Sequence, residues 1–293
     1  MRVILYGGLG NQIFKYVAAL KFTEKRNSVL KLDESWYRQD KNGNSAPRNF
    51  MLMEFPKIRL KNHQIARKPN FLNRIVFGLL QRNVFIQLCA GLLTEKTATY
   101  QHSWPYFHTI VGDFENQKYF PSEVDLSGLL EFPKVESPIL DSFLNEIAES
   151  KQPIIAVHVR LTDFLELSDI YGVLSLEYYL ECKAQADQFF TAPVFWLFSD
   201  DPSQVPNSLT KIFHFSKVIQ PAEIQNEIEV LNLMSRCHGL ITANSTFSYW
   251  AGYIMTSKDQ GAFVCAPSRY HNLENYREYS SGLHLPFWKI IEN

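Results

Sequence analysis

The rhythm of apolar and polar positions changes about halfway along the chain. From residue 153 onward, short apolar runs alternate with segments of helical period. The pattern predicts strands over 153–159, Val194–Phe198, 212–215, Gly239–Ala243 and 261–266, and helices over 176–190, 226–237 and 248–256. Ser175 stands where the N-cap of helix 176–190 belongs. Strands alternating with helices over about 110 residues imply βαβ units and a parallel sheet.

The first half is looser. A strand at 2–6 leads through glycines into a helix at about 11–25, and Val29–Leu32 reads as a second strand. Residues 38–50 read as a polar loop, and helical patterns fill the seventies and eighties. A connector over 121–138 holds Pro121, Pro133 and Pro138, before a helix near 138–150. The expectation is an α/β protein with two Rossmann-like domains facing a cleft. Residues 1–137 form the first and 138–293 the second, the tail packing back on the first.

Composition narrows the classes. With 293 residues, 46% of them hydrophobic, the chain has ample core and no disorder signature. A formal net charge of −1 argues against broad nucleic-acid binding. Cys89, Cys182, Cys237 and Cys265 lack zinc-ribbon spacing and read as reduced, buried thiols of a cytoplasmic protein. The apolar run at 2–6 is too short for a signal peptide. The longest apolar stretch, 71–93, is interrupted by Arg74 and Arg82 and is not a bilayer span.

One local asymmetry stands out. Phe55–Thr94 contains no Asp or Glu, yet carries Lys57, Arg59, Lys61, Arg67, Lys68, Arg74 and Arg82. A solvated basic face beside a core helix is the favoured reading. The alternative is peripheral contact with anionic headgroups on the inner face of a membrane.

Four loops carry the candidate chemistry. Gly7-Gly8-Leu9-Gly10-Asn11-Gln12 joins a strand to a helix, where glycines permit close approach and the helix N-terminus favours anions. A plain turn explains it too, but Asn11 and Gln12 favour polar contact with a ligand. Ile13 breaks the dinucleotide fingerprint, and no Walker lysine follows. The run Ile154–Val159 ends in His158, Arg160 and Asp163, and a guanidinium beyond a buried parallel strand suits phosphate oxygens. An Arg160–Asp163 loop tie is the bland alternative. Phe198-Ser199-Asp200-Asp201 puts two carboxylates at a strand end, suited to guanine or ribose, with Asp201 or Ser199 capping the next turn. Ala243-Asn244-Ser245-Thr246-Phe247 joins a strand to a helix and offers hydroxyls and N–H groups as an anion cradle.

Together the four segments resemble glycosyltransferase family 11, the α-1,2-fucosyltransferases. They stand as GGLGNQIFKY (7–16), HVRLTDF (158–164), FSDD (198–201) and ANSTFSYWAGYI (243–254), with Gly112-Asp113-Phe114 through Lys118-Tyr119-Phe120 resembling a fifth family segment. The resemblance spans nearly the whole chain. It implies a GT-B-like α/β fold, GDP-fucose as donor, inversion at the fucose C1, and no metal or other cofactor. By matching positions it implies Arg160 on the pyrophosphate, His158 near the donor, and Gly8, Gly10 and Asn11 on the phosphate or fucose. Asp200 would meet the guanine or ribose, and Ser245, Thr246 and Phe247 the phosphates and sugar. The acceptor would be a β-galactoside glycan, lipid-linked or free, in O-antigen or surface-polysaccharide synthesis.

The chain departs from the family at Leu161, in place of a second arginine, and at Thr162 and Phe164. Loss of that cation is expected to weaken the phosphate grip or shift acceptor contacts. Glycosyl transfer needs stabilisation of the departing diphosphate. For the base, Asp163, Glu166, Asp169 and Asp113 are candidates, with Asp163 better suited to orienting Arg160 or His158. Alternatives are another GDP-sugar or acceptor position, a nucleotide-dependent oxidoreductase with Asp33 as its ribose partner, and a sugar-binding module without catalysis.

Overall fold

A computed structural model describes residues 1–24, 29–38, 48–61, 63–66, 71–100, 106–161, 169–272 and 282–293, without the side chains of residues 71, 72 and 74. The chain divides into two compact α/β units, Met1–Glu131 and Phe132–Asn293, each with its own parallel sheet.

In the first unit the strands are β1 (Arg2–Ile4), β2 (Lys31–Asp33), β3 (Gln64–Ala66), β4 (Leu92–Leu93) and β5 (Thr109–Ile110), in the order β3-β2-β1-β5-β4. Helix α1 (Leu9–Thr23) follows β1 and buries Ile13, Phe14, Val17 and Ala18 completely. α2 (Phe71–Leu80) and α3 (Val84–Cys89) follow β3, and Val76 of α2 packs with Ile4, Leu92 and Val111. Strands β3, β4 and β5 escaped the sequence pattern because two or three residues are too few to show an alternation.

The second unit opens with α4 (Pro138–Glu149), whose N-cap Ser137 accepts from the Leu140 amide. Its strands are β6 (Ile154–Val159), β7 (Val194–Ser199), β8 (Lys217–Ile219), β9 (Gly239–Ile241), β10 (Phe263–Pro267) and β11 (Lys289–Ile291). Their order, β11-β10-β9-β6-β7-β8, runs outward in opposite directions from the β6–β9 pair, as in a dinucleotide-binding sheet. Every residue of β6 is buried, which is why the strand reads as an unbroken apolar run. Its side chains alternate. Ile155, Val157, Val159 and, beyond the strand, Leu161 join a core with Tyr178 and Cys182 of α5 (Leu176–Phe189) and Leu209 and Phe213 of α6 (Asn207–Phe213). α7 (Glu227–Arg236) packs on α8 (Thr246–Lys258).

Two expectations, the strand at 212–215 and the burial of all four cysteines, need correction. The apolar residues of 212–215 belong to the end of α6 and its left-handed cap at His214, and the strand comes later, at β8. Leu209 and Phe213, one helical turn apart, make the buried stripe that imitated a strand. The tail supplies β11, the edge strand beside β10 of the second sheet. Just before it, Trp288 lies flush on α8, where a Cβ on Gly252 would come 3.0 Å from the indole. Finally, Cys89 is exposed, while Cys182, Cys237 and Cys265 are buried thiols.

Candidate active site

In open α/β sheets, ligands sit beyond the carboxyl ends of the strands, where the strand order reverses. In the second unit that point lies between β6 and β9. β6 delivers His158 and Arg160, and β9 runs through Thr242, Ala243 and Asn244 into α8.

Arg160 is aimed by a carboxylate. Its Nε lies 3.3 Å from Asp200 Oδ2, and Asp200 Oδ1 accepts the Leu161 amide at 3.1 Å. Asp200, expected to face guanine or ribose, is thus engaged on the arginine and its backbone. Asp200 thus orients Arg160. Asp163 and Glu166 lie outside the described residues. Asp201 is the capping member of the pair, taking the Ser203 amide at 3.0 Å and the Gln204 side chain at 2.6 Å.

The β9–α8 turn divides its polar groups between scaffold and surface. Buried Asn244 donates to the Tyr171 carbonyl at 2.9 Å and to that of Gly172 at 3.2 Å, pinning the segment ahead of α5. Ser248 donates to the carbonyls of Ala243 and Ser245, both at 3.3 Å. Ser245 caps α8 by accepting the Phe247 amide at 3.3 Å. Ser245, Thr246 and Phe247 are half-buried, and no acid occupies the first turn of α8. A helix N-terminus of this kind favours a negative group.

His158 is sealed among these groups, 5% exposed, with its ring centroid 6.0 Å from that of Phe247. Among the described residues its Nδ1 has no hydrogen-bond partner. Burial, reinforced by the Arg160 charge and opposed by Asp200, pushes its pKa down to about 3. The imidazole is therefore neutral at pH 7.

In the first unit, Gly7 adopts φ +84, a left-handed turn suited to glycine, and its carbonyl accepts the Tyr37 hydroxyl at 3.0 Å. Gly8 is the N-cap of α1 and contributes no side-chain cap; buried Gly10 and half-buried Asn11 fill the first turn. Gln12, expected to meet a ligand, is fully buried and structural. It donates to the Asn49 carbonyl at 2.7 Å and accepts the amides of Met51 at 2.9 Å and Leu52 at 3.2 Å. Arg48 places its guanidinium 3.7 Å from where a Cβ on Gly8 would stand. Sequence reasoning missed it, because it sits in a stretch that reads only as a polar loop.

A second group was half seen. Lys15, fully buried, pairs with Asp113 at 2.9 Å and lies 3.8 Å from the Tyr6 ring centroid. Glu95 accepts the amides of Asp113 at 2.6 Å and Phe114 at 2.7 Å. Burial and then Asp113 push Glu95 up, and the same causes, opposed by Lys15, push Glu115 up to about 8. Asp113 was a candidate base on sequence; its neighbours were not foreseen. The available signal was Lys15 itself, the one charge within the apolar segment 9–20. Among the described residues, no group of three or more His, Cys, Asp or Glu is disposed to hold a metal ion.

Known proteins resemble the chain as follows. The model of Glycosyl transferase family 11 matches residues 89–279, which include the loops at 158–163, 198–201 and 243–250 but not the glycine loop. An alpha-1,2-colitosyltransferase of Escherichia coli is 26% identical over 272 residues, covering 85% of this chain and 86% of that protein. The O-antigen biosynthesis glycosyltransferase WbnK of Escherichia coli is 24% identical over 290 residues, covering 91% and 93%. Among solved structures, the fucosyltransferase NodZ from Bradyrhizobium superposes with TM-score 0.53 at 18% identity, covering 86% of this chain and 93% of NodZ. A family 9 glycosyl transferase from Veillonella parvula superposes with TM-score 0.52 at 12% identity, covering 99% and 86%. These two share the fold. With the family model matching well over half its residues, the chain belongs to glycosyl transferase family 11 and is a glycosyltransferase.

Proposed function

We propose that this glycosyltransferase moves fucose from GDP-fucose to the 2-hydroxyl of a terminal β-galactoside, inverting the fucose C1 without a metal. The glycan belongs, in this reading, to O-antigen or related surface-polysaccharide synthesis. The observation that carries it is the meeting of Arg160 and the α8 N-terminus at the carboxyl ends of neighbouring strands β6 and β9. A guanidinium and a positive helix end at one place suit a diphosphate. The NodZ alpha-1,6-fucosyltransferase co-crystallised with GDP supports a guanine nucleotide in this fold, and the alpha-1,2-colitosyltransferase relative supports a 1,2 linkage. Family membership sets aside the oxidoreductase alternative.

Each residue has a part in this reading. Arg160, Ser245, Thr246 and Phe247 hold the diphosphate and sugar, and Asp200 aims Arg160. Gly8, Gly10 and Asn11 contribute further donor contacts from the start of α1. As the sugar–phosphate bond breaks, positive charge grows on the ring and negative charge on GDP. Arg160 and the α8 N-terminus stabilise the latter, already oriented for it. His158 stays neutral and packs the site. Asp113, paired with Lys15, and Asp163 are the carboxylates assigned to take the acceptor hydroxyl proton, and pH–rate profiles of Asp113→Asn and Asp163→Asn separate them.

The test is GDP release from GDP-fucose against a panel of β-galactosides, with linkage analysis of the product. The expected product is 1,2-linked, formed equally well in EDTA. No turnover of GDP-fucose, or a product linked elsewhere, overturns the assignment, and strict dependence on Mn²⁺ or Mg²⁺ overturns the metal-free mechanism. The colitosyltransferase relative favours one second reading, transfer of colitose. Competition between the two GDP-sugars for the same enzyme decides between them.

A further inference from the structure

The hairpin of α2 and α3 turns an apolar, basic corner to solvent. Phe85 is 69% exposed, Ile75 47% and Ile86 38%, with Gln81, Arg82 and Asn83 exposed at the turn between the helices. The corner is held firmly from within. Asn83 caps α3 by accepting the Ile86 amide at 3.0 Å. Gln87, fully buried, donates to the carbonyls of Leu80 at 3.0 Å and Arg82 at 3.1 Å, and accepts the Thr94 hydroxyl at 2.8 Å. Val76 and Leu88 are buried on the inner side. The scaffold presents Phe85 to solvent.

We propose that this corner is the docking point of the protein on an anionic phospholipid surface. Charge complementarity selects that occupant. The only charged residues between Phe71 and Thr94 are Arg74 and Arg82, and no acid stands anywhere from Phe55 to Thr94. An apolar tip with exposed Arg82 at its turn, in a segment without acids, matches the boundary of headgroups and acyl chains, where Phe and Ile leave water and Arg meets phosphate. Among the described residues no helix is long and apolar enough to cross a membrane, so the contact is peripheral. It sharpens the basic stretch of the sequence into a specific surface, and it stands apart from the donor and acceptor proposed above because vesicle binding is read without turnover.

The experiment is flotation of the full chain with vesicles of phosphatidylcholine, with and without phosphatidylglycerol. Binding is expected only to the anionic vesicles and to weaken with salt. Phe85→Ser/Ile86→Ser should lower the partition about tenfold or more, and Arg82→Glu should lower it also. Both variants should keep wild-type turnover of a short, lipid-free acceptor, which reports that the fold survives. Phe85→Trp should shift its emission to the blue on anionic vesicles. The proposal fails if the wild type ignores anionic vesicles, or if Phe85→Ser/Ile86→Ser binds them unchanged. It fails equally if Phe85 drives concentration-dependent self-association in place of vesicle binding.

Discussion

Arg160 Nε and Asp200 Oδ2 stand 3.3 Å apart, each side chain 15% exposed, while the other Asp200 oxygen fixes the amide that follows the arginine. One carboxylate thus sets both the direction of a guanidinium and the backbone that bears it. A cation held in place needs little reordering as charge builds on a leaving group.

Arg160→Ala should therefore lower turnover at least ~100-fold with the fold intact, and Asp200→Asn by a smaller factor of roughly ten. Adding Asp200→Asn to Arg160→Ala should cost little more, because the two act as a unit. Steady-state kinetics with circular dichroism measures this. Near wild-type activity of Arg160→Ala would remove the arginine from the mechanism.

Gln12 gives the opposite signature. Gln12→Leu strips an acceptor from the amides of Met51 and Leu52 and should destabilise the first unit by about 2–3 kcal/mol. Urea unfolding reads the loss. Full stability with lost activity would instead mark Gln12 as a ligand contact.

His158 ties stability to acid. Its pKa is about 3 in the fold, against an ordinary 6.5. Between those values the unfolded chain binds a proton that the folded chain refuses, so stability falls as pH drops from 6.5 towards 3. His158→Gln should flatten that slope in urea titrations at stepped pH. An unchanged slope would mean that other groups set it.

Glu115 works in the other direction. It keeps its proton up to about pH 8 in the fold, against 4.5 ordinarily, so stability falls as pH rises through that window. Glu115→Gln should raise Tm relative to wild type near the upper end and change it little at the lower end. Equal Tm differences at both ends would mean the carboxyl does not titrate there.

The second unit was legible because buried parallel strands announce themselves. Ile154–Val159 and Val194–Ser199 are apolar runs closed by polar residues, and Ser175 caps α5 where the pattern put it. The first unit was less so, its strands being too short to carry a period. Leu161 shows a subtler limit. Beside a family arginine it reads as a missing cation. Yet it continues the row of Ile155, Val157 and Val159 into the core, 4% exposed, so an arginine at 161 would enter that core unless the backbone turned. The Asp200 partnership spans 39 residues between neighbouring strand ends and leaves no local trace. The role of Gln12 was hidden too, since its partners at 49–52 come from a distant segment.

The seating of Trp288 on Gly252 has an optical consequence. Its indole nitrogen donates to Thr256, and Tyr249 lies with its ring centroid 5.3 Å from that of Trp288 and 5.4 Å from that of Trp250. Both indoles are buried against the helix whose first turn bears Ser245, Thr246 and Phe247. Trp250 of α8 and Trp288 packed on it therefore form an intrinsic fluorophore pair, excited directly or through Tyr249. A tilt of that helix is written into the colour and yield of the protein's own emission, with no label attached.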